Sequence, residues 1–379
     1  MKRILGLLLA SLLGVSAFAQ ADRQILVKFT GDQGTLNQQA LQLGHTVVET
    51  IPNLKVYVVQ LAEGEDRNKA IITYQKMPQV VFAEINGIYR SQLVPNDPFY
   101  NQQWALPAVS APTAWDTMMG SAAVTIAIVD TGVSLNHPDL ASRIVAGYDF
   151  VNNDAVADDD NNHGTHCAGI AAAIMNNNTG IAGLGAGCNI MPVKVLSSGG
   201  SGSWDNVAAG IDWASANGAK VVSLSLGGSG GSATVQAAVD LAWSRGSLVV
   251  CAAGNNGTTG IFYPAGYTNS LAVASTDPGD GRSSFSTYGA WVEVAAPGSN
   301  IYSTLPNNSY GNLSGTSMAC PLVAGLAGLL FVQEGPFATN VSVRRRIEAT
   351  SDKVGSFVSF GRINAAKALR WWRGVRVGL

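Results

Sequence analysis

Charge is scarce in this chain. Only 13% of its 379 residues are Asp, Glu, Lys or Arg, and the formal net charge is −2. There is no basic excess to neutralise a phosphate backbone, so nucleic acid is not an expected partner. Cysteine is scarce too. Cys167, Cys188, Cys251 and Cys320 are too few for a disulfide-built miniprotein and read as buried thiols. Beyond the N-terminus there is no apolar run of the ~20 residues that span a bilayer. The Ala- and Gly-rich stretch 322–332 is too short for that and reads as a buried helix. Apolar residues are abundant at 47%, and the 43 glycines lack the period of collagen, so neither a disordered nor a fibrous chain is expected. The length suits two or three folding units.

Residues 1–19 differ in kind from the rest. Lys2 and Arg3 precede an apolar run over 4–15, and Ala17-Phe18-Ala19 supplies the small-x-small pattern of a cleavage site. This predicts a secretory signal peptide, hence a secreted, extracellular product with no membrane attachment after signal removal. Residues 20–92 form the next unit, with strand-like runs at 24–29, 54–59 and 80–84 and helix-compatible stretches at 36–43 and 67–76. A small βαββαβ-like α+β domain without a reacting group is expected there. The polar, Pro-containing stretch 91–98 suits a linker and cleavage site.

Residues 93–379 have another texture. Runs at 124–129, 190–196, 221–226 and 248–253 are almost continuously apolar, as strands buried on both faces of a parallel sheet are. Segments 204–217 and 233–245 between them have helical spacing. This alternation predicts an α/β fold, a doubly wound, mostly parallel sheet with helices on both faces. Ligands of such sheets bind beyond the carboxyl ends of the strands.

Three polar segments fall at such edges. Asp130 ends an apolar strand in Val129-Asp130-Thr131-Gly132; His163 and His166 lie in Asn162-His163-Gly164-Thr165-His166; Ser317 lies in Gly315-Thr316-Ser317-Met318-Ala319 ahead of an apolar helix. Singly, each has a plainer reading. Asp in a turn caps it, and Ser at a helix start caps the helix. Two nearby His also suggest zinc, although the Glu of the metalloprotease motif is missing. Jointly they are an Asp, His, Ser set in the chain order used by subtilisin. With Ser223-Leu224-Ser225-Leu226-Gly227-Gly228 and Ala252-Ala253-Gly254-Asn255, these segments resemble the subtilisin-like serine proteases, and within them the thermitase-like branch. The resemblance covers nearly all of about 93–371. The unit before it resembles the family's inhibitory propeptide, with a ferredoxin-like fold.

Carried over residue by residue, the resemblance implies that Ser317 is the nucleophile, His163 its base and Asp130 the orienter of the imidazole, with His166 structural. Asn255 corresponds to the oxyanion asparagine, with Thr316 adding a weaker contact and Asn256 supporting the turn. Ser225, Leu226 and Gly227 would offer one edge to an extended polypeptide and Gly200 the opposite edge. Phe262 stands where the family has a small or polar residue before its Tyr-Pro, which points to small or medium apolar side chains in the primary pocket.

Calcium is the expected cofactor. One site follows from the resemblance, with side chains of Asp97, Asp139 and Asn177 and carbonyls of Ile174, Thr179 and Ile181. A second is suggested by Asp149, Asp154, Asp158, Asp159 and Asp160, which lie in a window without Lys or Arg. A solvated acidic loop is the plainer reading. Arg344-Arg345-Arg346 reads as a solvated helix face. The implied product is a monomeric, calcium-stabilised endopeptidase made as a self-processing precursor, with the propeptide as intramolecular inhibitor and folding aid. Its rival from another class is a catalytically inactive binding protein of the same fold. A serine esterase is disfavoured because Gly315-Thr316-Ser317-Met318-Ala319 lacks the second Gly of the esterase elbow.

Overall fold

The computed structural model describes residues 23–87 and 93–370. The signal-peptide reading of residues 1–19 lies outside them. Two compact units divide the chain at residues 91 and 92.

The first unit runs β1 (Gln24–Phe29), α1 (Gln33–Gln42), β2 (Thr46–Ile51), β3 (Val56–Gln60), α2 (Arg67–Gln75) and β4 (Val80–Ile85). The strands form an antiparallel sheet in the order β2-β3-β1-β4, the βαββαβ arrangement expected from the sequence. Asp32 and Asp66 cap the two helix N-termini by accepting backbone N–H groups, which fixes where each helix begins. Ile25, Val27 and Phe29 alternate along β1 into a core with Leu36, Ala40 and Tyr74. Strand β2 was not legible as a run, because its residues are mostly exposed.

The second unit is an eight-stranded parallel sheet in the order β14-β11-β10-β9-β8-β5-β7-β6. Its strands are β5 (Thr125–Asp130), β6 (Tyr148–Asp149), β7 (Asn189–Lys194), β8 (Val221–Leu224), β9 (Leu248–Ala252), β10 (Ser270–Thr276), β11 (Val294–Pro297) and β14 (Gly361–Arg362), and β12 (Ile301–Leu305) with β13 (Ser309–Leu313) forms a separate hairpin. The apolar runs have a simple cause. Along β5, Ile126 and Ile128 enter one core while Ala127 and Val129 enter the other, so no position faces water. Helices α6 (Trp204–Ala216) and α7 (Ala233–Ser244) cover one face; α5 (His163–Ala172) and α8 (Thr316–Glu334) cover the other. Helix α8 is long and apolar enough to cross a bilayer, yet it is the central, buried helix of the larger core. Fully burying one of its leucines contributes roughly 1.5–3 kcal/mol.

One expectation is corrected here. On α9 (Asn340–Thr350) only Arg345 of the three arginines is exposed. Arg344 pairs with Glu293 and Glu348, and buried Arg346 with Glu334. A buried guanidinium persists only where carboxylates and carbonyls take its donors, and a run of like charges does not reveal those partners.

Candidate active site

Strand β5 lies where the sheet's order reverses, with β7 and β6 on one side and β8 onward on the other. Its last residue, Asp130, is fully buried, and its Oδ1 accepts from the backbone N–H of Thr131 and from His163 Nδ1, both at 2.7 Å. His163 opens α5. A Cβ on Gly164 would stand 2.0 Å from the Gly132 carbonyl oxygen, so only glycine lets this helix start against the end of β5. That close approach delivers the imidazole to the carboxylate. Burial works to lower the His163 pKa, but the charge and hydrogen bond of Asp130, with Asp159 adding, outweigh it and raise the value above 6.5.

Ser317 is the second residue of α8. Pro321, four residues later, has no N–H to give to the Ser317 carbonyl, so that oxygen is left free inside the helix. Ser225 Oγ donates to it at 2.9 Å and the Cys167 thiol at 3.4 Å. In return Ser317 Oγ donates to the Ser225 carbonyl at 3.1 Å. The hydroxyl therefore rests against the strand end, not on His163. Burial pushes the Cys167 thiol well up, with Asp130 adding, so it stays protonated although it sits with Asp130 and His163 in one cluster.

Asn255 follows β9. Its Oδ1 accepts from Thr316 N–H at 2.8 Å and Thr316 Oγ1 at 3.0 Å. An N–H can only donate, so the amide oxygen must face Thr316 and Nδ2 remains for the cleft. Thr316 Oγ1 also accepts from Gly254 N–H at 3.1 Å, so its hydroxyl orients the asparagine. Asn256 uses its backbone N–H on Thr287, a turn contact.

His163, Asn255, Thr316 and Ser317 meet on one cleft of about 420 Å³ whose walls include Ser225, Leu226, Gly227, Gly200 and Phe262. The Phe262 ring lies between Gly227 and Gly254, where added Cβ atoms would come within 2.5 and 2.8 Å of it. Sequence reasoning missed Trp204, which lines the cleft while 58% exposed. An exposed Trp directly after a Gly-Ser edge was the available signal.

His166 turns away from His163 to the Gly311 carbonyl at 3.1 Å, and burial lowers its pKa to about 4. The two His therefore make no zinc pair. Elsewhere, Asp97 accepts from the N–H groups of Asn176 and Asn177, and Asp139 from Asn177 Nδ2, Ile181 N–H and Tyr310 OH. Both carboxylates are buried, and among the described ion pairs neither has a cation. Burial raises the Asp139 pKa to about 6. The acidic loop is less convergent. Asp149 caps Val151 and Asn152, Asp154 accepts from Val156, and Asp158 reaches Leu135. Asp149 and Asp154 face each other in a short antiparallel bridge and close one turn, with Asp158 beyond it; among the described residues, no three carboxylates of this loop close into one tight group.

Residues 121–363 match the model of the subtilase family. The chain belongs to the subtilase family. It is a subtilisin-like serine endopeptidase acting on polypeptides, and residues 19–86 match the fervidolysin N-terminal prodomain. Thermitase of Thermoactinomyces vulgaris is 55% identical over 281 residues, 73% of this chain and 99% of that protein. The thermophilic serine proteinase of Bacillus sp. (strain AK1) is 41% identical, covering 93% of this chain and 88% of that one. A solved protease structure from Pseudoalteromonas arctica PAMC 21717 aligns with a TM-score of 0.69 at 35% identity, over 73% of this subtilase and 99% of the other chain.

Proposed function

We propose that this subtilase cleaves peptide bonds with Ser317 as nucleophile, His163 as general base and acid, and Asp130 as the group that holds the imidazole. The observation that carries this is the 2.7 Å bond from His163 Nδ1 to Asp130, opening onto the same cleft as Ser317 and Asn255. With Nδ1 engaged, Nε2 is the nitrogen left to take a proton. Rotation of the Ser317 hydroxyl from the Ser225 carbonyl toward His163 prepares the attack, a tightening that substrate-free sites often await. Ser317 Oγ bonds to the scissile carbonyl carbon, its proton passes to His163, and the oxyanion is met by Asn255 Nδ2 and the Ser317 N–H. His163 then returns the proton to the departing amine, and water repeats the sequence on the acyl-enzyme. Phe262 narrows the primary pocket to small or medium apolar side chains.

The enzyme is made as a precursor and secreted, with residues 1–19 as signal, 20–92 as inhibitor and folding aid, and 93–379 as the catalytic part. Calcium fits at Asp97 and Asp139. Two buried carboxylates without a cation are costly alone and suited to a hard divalent ion, with Asn177, Ile174, Thr179 and Ile181 supplying neutral oxygens. The ion would neutralise these charges and hold the loop; it takes no part in the chemistry.

A fluorophosphonate should label the secreted protein at Ser317, and a full-length Ser317→Ala precursor should stay unprocessed and unlabelled. Label on another residue, or maturation of the purified variant by itself, sinks the reading.

A further inference from the structure

Asn162, the residue before α5, gives that helix no side-chain cap and has a φ of 143°, a region L-residues rarely adopt. The start of the helix that carries His163 must be held by something else. Asp159 does this. Its carboxylate is buried, and its Oδ1 accepts from Asn161 N–H, Asn162 N–H and Thr131 Oγ1 at 3.0, 3.2 and 2.8 Å. Its Oδ2 accepts from Thr165 N–H at 2.9 Å and Thr165 Oγ1 at 2.5 Å. Thr131 Oγ1 in turn accepts from Gly164 N–H at 2.9 Å. One carboxylate thus ties the first turn of α5 to the residue directly after Asp130. Five donors on two oxygens hold it in one place.

We infer that Asp159 is a positioning residue for catalysis: it sets the register of the His163 helix against the end of β5 and places a second fixed negative charge beside the imidazole. This rests on the reading of His163 as the base. The groups around His163 are Asp130 from β5, Asp159 from the preceding loop, and His166 and the Cys167 thiol from its own helix. Lys194 from β7 meets the same strand end, its Nζ donating to the Thr131 carbonyl at 2.7 Å and to Asp160 at 2.6 Å. That lysine is occupied by Asp160, so the Asp159 charge acts on the imidazolium without a lysine partner of its own. Asp159 also helps raise the His163 pKa, in the same direction as Asp130.

The test separates geometry from charge. Asp159→Asn keeps the shape but sets an NH2 or a neutral oxygen against the donors of α5, and removes the charge. In the full-length protein, matured and counted by fluorophosphonate titration, kcat per labelled site should fall by about tenfold to a hundredfold with KM little changed. The acid limb of kcat/KM should move to lower pH, because imidazolium loses a stabilising anion. Thr131→Val cuts the link to β5 but keeps the charge; kcat should fall while the acid limb does not move to lower pH, and Thr131→Ser should restore kcat. Wild-type kcat in either Asp159→Asn or Thr131→Val overturns the inference. So does an unmoved limb in Asp159→Asn, or a loss confined to the unfolding midpoint, which would leave Asp159 a helix cap only. Failure of the wild-type enzyme to label at Ser317 would instead strike the underlying reading of the site.

Discussion

Single residues carry consequences that their types do not announce. Pro321 breaks no helix visibly, yet by withholding one N–H it frees the Ser317 carbonyl for Ser225 and Cys167, and so locks the helix start against β8. Thr316 matters through the direction in which its N–H and hydroxyl force the Asn255 amide. Asn255→Ala should lower kcat by about 10²–10³ with KM nearly unchanged, a magnitude established on subtilisin, a member of this family. Steady-state kinetics on a peptide anilide checks it; a raised KM at unchanged kcat would mean that Asn255 binds the ground state instead. The motif Asn255 sits in was legible in the sequence. The hydrogen bonds that turn Nδ2 toward the cleft were not, because they join residues 61 positions apart.

Elements decide specificity. The cleft is built where β8, β9 and the segment before Tyr263 end, and Phe262 fills the gap between the glycines of the first two. The sequence allowed the ring to cap the pocket, shrink it or point outward; packing against Gly227 and Gly254 chose inward. Phe262→Gly should widen the pocket and gain cleavage after Phe and Tyr, while the parent enzyme should prefer small or medium apolar residues. A peptide-library profile of the two enzymes measures this, and a parent that cleaves best after Phe or Tyr contradicts it. At the same scale, the apolar runs revealed four of the eight strands of the large sheet; β10 and β11, whose Ser and Ala residues make no long apolar run, were not legible, nor were β6 and β14. Strands β6 and β14 are two-residue edge strands with too few positions to show a period.

For the whole molecule, uncompensated buried charge is the main tension. Asp97 and Asp139 lie 42 positions apart yet both hold the 176–181 segment, and burial of the carboxylate holds Asp139 up to about 6. Calcium removal should therefore lower the unfolding midpoint. Bound calcium at a hundredfold excess over its Kd stabilises by about 2.7 kcal/mol. Thermal unfolding with and without chelator measures the loss, and Asp139→Ala should abolish the difference between the two scans. An unchanged midpoint in the parent protein would remove calcium from this site.

The sequence by itself determined the fold class, the order of the two units and the candidates for the reacting residues. Each of these is written in local pattern: continuous apolar strands, helical spacing, and short motifs at strand and helix ends. Only the tertiary structure decided what those residues touch. It turned His166 to Gly311, set the Asp149 carboxylate on the N–H groups of Val151 and Asn152, buried Arg346 on Glu334, and set Asp159 between the His163 helix and Thr131. The physical reason is common to all four. A polar side chain's partner is chosen by which backbone groups the packed core leaves unpaired, and that is known only once the elements have docked.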